Sequence, residues 1–174
     1  MTNKRPDANE YATYYDRYVA LVPEGDVLTI LDEQLKETLG LLRGIPESRA
    51  GFRYAPEKWS IREVVGHMID TERVFAYRAL RFARNDKTPL HSFEQDDYIR
   101  NAAFDAFPLA ELADEFERVR QSSVFLFKHL DEAAWLRTGI ASDNVVSVRA
   151  LAYIMAGHEL YHAEILRNRY LQSD

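Results

Sequence analysis

The sequence predicts an all-α protein: a four-helix bundle with long connections between helices two and three and between three and four. Three observations carry this. Four stretches place apolar residues at i, i+3 and i+4, the period of a helix with one buried face. Each is preceded by a residue that favours a helix start. No segment alternates convincingly between apolar and polar residues as a half-buried strand would, and no internal repeat is visible.

Residues 1–22 read as a tyrosine-rich helical lead-in packing on the bundle. Tyr14 and Tyr18 share one face, and Tyr11 and Tyr15 another. Such aromatics cover a core edge or form a lid over a site. Pro23-Glu24-Gly25-Asp26 is a turn ending in an N-cap. The first long helix follows, with Val27, Ile30, Leu31, Gln34, Leu35, Thr38, Leu41 and Leu42 as its stripe and Gly44 as its stop. Ser60 and Glu63 have the spacing of a capping box. They open a second helix to about Ala83 whose stripe includes Ile61, Val64, Val65, Met68, Phe75, Ala79 and Phe82.

Residues 86–107 are a long connection holding the acidic run Glu94-Gln95-Asp96-Asp97. Connections of that length in a small domain are often functional. Pro108 starts the third helix, striped by Leu109, Leu112, Ala113, Phe116, Val119, Ser123, Phe127 and Leu130. After a connection over residues 131–146, Ser147 caps a last helix running to about Tyr170.

The 174 residues suit a single domain, residues 1–174, able to bury a core without staples. A net charge of −6 without a basic stripe argues against nucleic acid as a partner. No apolar run is long enough for a membrane span and the opening residues do not resemble a signal, so the default expectation is a cytoplasmic protein. There is no cysteine, which removes disulfides, thiolate ligands and a cysteine nucleophile together.

Gly157-His158-Glu159-Leu160-Tyr161-His162 contains H-E-x-x-H, which on a helix puts His158 and His162 one turn apart on one face. Counting about 100° per residue sets both on or beside the apolar arc of the last helix. His67, flanked by Val64 and Met68, falls at the edge of the second helix's stripe. His91 and His129 lie in a loop and off the stripe. Three histidines thus face one interior from two helices, and bundles commonly build metal sites in this way. The competing interpretation is three packed histidines bonded to carbonyls.

Glu72 and Glu159 also fall within apolar arcs, with Arg120 on the third helix able to pair with them. They are either structural partners of Arg120 or carboxylates acting in catalysis: a general base, or a group orienting a ligand imidazole. A zinc peptidase with Glu159 as base is the reading of H-E-x-x-H taken alone. It is disfavoured because no sheet edge is expected for an extended substrate and the third histidine lies upstream on another helix.

The stretch from Tyr54 through Trp59-Ser60-Ile61-Arg62-Glu63 and Gly66-His67-Met68 to Glu72-Arg73 resembles the DinB-like superfamily, and more narrowly its YfiT-type branch. The loop Asp86-Lys87-Thr88-Pro89-Leu90, the run Glu94 to Tyr98, and Ser147 through His162 extend the resemblance over nearly the whole chain. It implies a four-helix bundle holding one divalent metal ion per chain on His67, His158 and His162; imidazole ligands suit zinc, nickel, copper or iron, with zinc or nickel first. One departure stands out: where the family often carries two adjacent histidines, this chain has Tyr161 before His162.

The resemblance further implies either an S-transferase joining a low-molecular-weight thiol of the bacillithiol type to an electrophile, or a metal-dependent hydrolase of small amides or esters. A metal-binding stress-response module without enzymatic activity is the third alternative. The expected partners are accordingly a small thiol and an electrophile, or a small hydrolysable substrate, with a second copy of the chain as a homodimer.

Overall fold

A computed structural model describes residues 4–172; the first three residues of the expected lead-in lie outside them. The lead-in is made of short helical turns, Ala8–Glu10 and Thr13–Tyr15, running into α1 (Asp16–Val19). The Asp26 side chain accepts from the Thr29 amide and starts α2 (Val27–Arg43), with Gly44 as C-cap. Ser60 and Glu63 form the expected reciprocal capping box at the start of α3 (Ile61–Ala83). Of the following connection, α4 (Gln95–Asn101) is helical. Then come α5 (Leu109–Lys128) after Pro108, and α6 (Glu132–Trp135). Ser147 Oγ accepts from the Ala150 amide at the start of α7 (Val148–Ile165), and a π-helical turn, Leu166–Tyr170, prolongs it.

The four long helices are those the apolar period predicts. The expectation of no strand is corrected by a two-stranded antiparallel hairpin, β1 (Thr138–Ala141) and β2 (Asn144–Ser147), with Gly139 opposite Val146 and Ile140 opposite Val145. Each strand is four residues long, too short for an alternation to register. Its turn residues Ser142 and Asp143 take left-handed conformations, φ 52° and 62°, without the glycine that usually marks such a turn. Leu90 bridges to Ala141, tying the α3–α4 connection to the hairpin.

In the bundle, α5 and α7 each lie against both α2 and α3, so consecutive α2 and α3 stand on opposite sides. Segment 44–60 therefore crosses the end of the bundle rather than making a tight hairpin. The apolar core falls into two clusters. One joins the lead-in, the end of α3, the hairpin and the start of α7. The other joins the end of α2, the start of α3, the start of α5 and Leu166. Buried polar residues from the long helices include Gln34, Thr38, His67, Thr71, Glu72, Arg120, His158, Glu159 and His162. The site is built from this polar set.

Candidate metal centre

His67 sits two turns into α3, and His158 and His162 share one face of α7, the helix packed beside it. All three are buried. Their Nε2 atoms converge: His67 Nε2 and His158 Nε2 are 3.0 Å apart, and His162 Nε2 and His158 Nε2 are 3.1 Å apart. Among the described residues these three form a cluster of ligand atoms within 4.8 Å of one another. His91 and His129 do not join it.

Burial holds His67 down to about 4 and His162 to about 3. His158 is pushed well below 6.5, first by burial and then by the repulsion its proton would meet from Arg120 and from any proton on His162 or His67. All three imidazoles are therefore neutral at neutral pH, with lone pairs available. The Thr71 hydroxyl, one turn after His67, is 3.3 Å from its Nδ1. With the proton on Nδ1, that contact leaves the Nε2 lone pair free to ligate. His162 Nδ1 is buried without a hydrogen-bond partner among the described residues.

The donor set fits a metal better than a hydrogen-bonded trio. An imidazole nitrogen carries one lone pair or one proton, yet His158 Nε2 has two nitrogens at contact distance. For metal–nitrogen bonds of about 2.1 Å, ligands at about 90° have nitrogens about 3.0 Å apart, and at the tetrahedral angle about 3.4 Å apart. The His67–His158 and His158–His162 separations are those of neighbouring ligands on one ion.

Aromatic rings surround the cluster. Trp59 lies against His67 (ring centroids 4.8 Å apart), Tyr18 and Phe75 against His158 (5.4 and 6.0 Å), and Tyr161 against His162 (5.3 Å). Tyr161, the departure from the family pattern, thus borders the site, edge-on to Tyr18 at 5.3 Å. Tyr18 reaches His158 because Gly157 lets the backbone of the lead-in touch α7; a Cβ there would overlap the Tyr18 carbonyl. Of the lead-in tyrosines, Tyr18 is buried at the core edge, and Tyr14 and Tyr18 border the pockets beside the site. One pocket, about 260 Å3, reaches His67 and His158; the other, about 430 Å3, reaches His162.

Glu72 and Glu159 are brought to the middle of the bundle but not into the ligand cluster. Arg120 takes both. Its Nε and Nη2 donate to the two oxygens of Glu72, and its Nη1 donates to Glu159. Burial pushes the Glu159 carboxyl up, against the opposing pull of Arg120 and the Thr38 hydroxyl. Sequence reasoning reached the histidines, Arg120 and, among the lead-in aromatics, Tyr18, but not Trp59 or Thr71. Of these only Thr71, at i+4 from His67, had a signal in the spacing.

Fold and site together define a helical-bundle protein with a buried three-histidine cluster open to two pockets. The chain belongs to the DinB superfamily, whose family model matches residues 30–166. Among solved structures it is similar to YfiT from Bacillus subtilis, described as a probable metal-dependent hydrolase with an unusual four-helix bundle topology. The TM-score is 0.68 at 14% identity over 95% of this chain and 93% of that one. It is also similar to a mycothiol-dependent maleylpyruvate isomerase, with TM-score 0.67 at 13% identity over 88% of this chain and 62% of that one. A histidine-to-alanine mutant of that isomerase gives 0.68 at 11% identity, over 93% and 64%. The chain thus spans less than two thirds of the isomerase's length. No curated protein matches the chain by sequence. No helix among the described residues is long and apolar enough to cross a membrane.

Proposed function

We propose that the protein binds one divalent metal ion on His67, His158 and His162, zinc or nickel first, and uses it to transfer a low-molecular-weight thiol to an electrophile. The observation that carries the metal reading is the convergence of three neutral Nε2 atoms, two pairs at 3.0 and 3.1 Å. Bound there, such an ion supplies Lewis acidity that lowers the pKa of a water or thiol and yields a nucleophile near neutral pH.

The chain's own residues prepare the rest. Thr71 orients His67, and the rings of Trp59, Tyr18, Phe75 and Tyr161 restrict water around the cluster. Glu72, Arg120 and Glu159 lie together beside His158 in the middle of the bundle. In this reading Glu72 and Glu159 support the centre as the hydrogen-bonded partners of Arg120 rather than as groups that touch the substrate.

The transferase is preferred over the hydrolase because both pockets are polar and offer cations beside carboxylates, Arg78 with Glu94 in one and Arg17 and Lys58 with Glu57 and Asp96 in the other, as a thiol bearing both charged and polar groups requires. Similarity to a mycothiol-dependent enzyme supports the same choice. Similarity to a probable metal-dependent hydrolase supports the alternative, hydrolysis of a small amide or ester at the same site. The chain is taken as one domain acting as a homodimer in the cytoplasm.

Purified protein should hold about one divalent ion per chain, lost on His162→Ala; stoichiometric metal in that variant removes the triad assignment. An aryl halide offered with different thiols, beside a panel of esters and amides, then separates the reactions. Turnover only with thiol supports the transferase, and turnover without thiol the hydrolase.

A further inference from the structure

Three arginines are buried: Arg78, Arg120 and Arg149. Arg120 is paired with Glu72 and Glu159, and Arg149 with Glu10. Arg78, only 3% exposed, has no carboxylate within ion-pair distance among the described residues. Its Nη2 donates to the His91 carbonyl at 3.0 Å and to Ser142 Oγ at 3.1 Å, and the Tyr15 hydroxyl lies beside it. These acceptors orient the guanidinium but leave its charge uncompensated. A buried charge is normally paired.

We propose that Arg78 anchors a subsite for the carboxylate of a small substrate in the 260 Å3 pocket that also reaches His67 and His158. The anchor is built from three segments: Arg78 from α3, His91 from the connection after it, and Ser142 from the left-handed tip of the hairpin. Arg78 follows His67 by three turns of one helix, about 16 Å of axial rise. A ligand held by Arg78 and reaching the histidines is therefore elongated. Tyr15, Phe75 and Phe93 wall the space, and the Arg78 guanidinium lies 6.0 Å from the Phe93 ring centroid. The walls suit a flat, apolar middle. Nη2 is taken by His91 and Ser142, so the guanidinium offers a ligand carboxylate its charge and a donor on Nε or Nη1. Exposed Glu94, which also borders the pocket, disfavours a more highly charged phosphate.

The position of this subsite beside the reaction centre rests on the proposed function; the carboxylate binding itself does not. The probe is trans-cinnamate against its neutral isostere cinnamamide, titrated by calorimetry into metal-loaded and metal-free protein. Cinnamate should bind at least about tenfold more tightly than the amide. Arg78→Met should remove that preference with metal content unchanged, and Arg78→Lys, which keeps the charge but cannot hold the His91 and Ser142 acceptors while donating to a ligand in the same plane, should fall between. No cinnamate binding, equal binding of the amide, or an unaltered preference in both variants overturns the subsite. Preferred cinnamate binding by a protein that shows no metal-dependent turnover leaves the subsite standing and removes the function instead.

Where turnover exists, two pairings locate the acid. Mercaptopropionate with a neutral aryl halide places it on the thiol, and mercaptoethanol with a carboxylated aryl halide places it on the electrophile. Arg78→Met raises KM for the acidic partner in the pairing that uses the subsite; an unchanged KM in both counts against it.

Discussion

Arg120 holds Glu72 along one edge of its guanidinium, Nε to Oε1 at 2.8 Å and Nη2 to Oε2 at 2.7 Å, and turns its remaining nitrogen to Glu159 and the Leu31 carbonyl. One residue thus joins α5 to α2, α3 and α7 at the centre of the bundle. Arg120 is 0% exposed, so none of these bonds is shared with solvent.

Removing the cation alone strands two buried carboxylates close together. Arg120→Met is expected to cost about 3–5 kcal/mol of unfolding free energy. Adding Glu72→Gln and Glu159→Gln to it should recover part of that loss, because no unpaired charge is then left inside. Urea denaturation of the single and triple variants reads the difference. A single variant within about 1 kcal/mol of the parent would show that Arg120 does not neutralise the carboxylates.

The histidine cluster makes the metal-free protein sensitive to acid. Each folded-state pKa lies below the unfolded value of about 6.5, so the unfolded chain takes up protons first as pH falls. Stability from the neutral imidazoles is complete above about 6.5 and drains away towards about 4, at up to about 1.4 kcal/mol per pH unit for each group still neutral in the fold. Chelator-treated protein should lose several degrees in melting temperature between about pH 7 and about pH 5. Protein loaded with metal should resist the change until the ion is released. A melting temperature equally flat in both forms would count against burial of three neutral imidazoles.

Gly157 lies in the middle of α7, where replacing glycine by alanine ordinarily stabilises a helix by about 1 kcal/mol. Here the sign should reverse, because the new Cβ would overlap the Tyr18 carbonyl. Backbone is the obstacle, so either the lead-in or α7 must move, and overpacking of this kind costs about 1–3 kcal/mol. Gly157→Ala should lower the melting temperature and expose the lead-in to protease. A stabilised, protease-resistant variant would mean that the segment does not rest on α7.

What the sequence made legible follows from how local each signal is. Ser60 with Glu63, and Ser147 before Ala150, are caps written within one turn, and the helices begin where they indicate. The inward direction of His67, His158 and His162 follows from the same helical period as the core. The hairpin was hidden because its strands are short, its turn carries Ser142 and Asp143 instead of glycine, and Gly139 is needed for a long-range reason: a Cβ would meet the Phe82 ring. The missing partner of Arg78 was equally invisible, since an absent ion pair is a property of the assembled fold.

The lead-in is tied down far from the histidines. Ser147 Oγ caps α7 and also donates to Glu10 Oε2 at 2.6 Å, while buried Arg149 pairs with the same carboxylate. Burial works against the ionised Glu10 carboxyl, yet its bonds to Arg149 and Ser147 outweigh this and bring its pKa below 4.5. The clamp is therefore intact above about 4.5 and weakens as pH falls below that. Glu10→Ala leaves Arg149, among the described residues, with Asp7 at 3.7 Å as its carboxylate partner, and should cost roughly 2 kcal/mol. Glu10 borders neither pocket, whereas Tyr14 and Tyr18 of the same segment border both. The variant should consequently surrender its metal to a chelator faster than the parent while keeping the same stoichiometry. An unchanged release rate, with the clamp shown to be broken by increased proteolysis of residues 8–20, would mean that the tyrosines do not cover the centre.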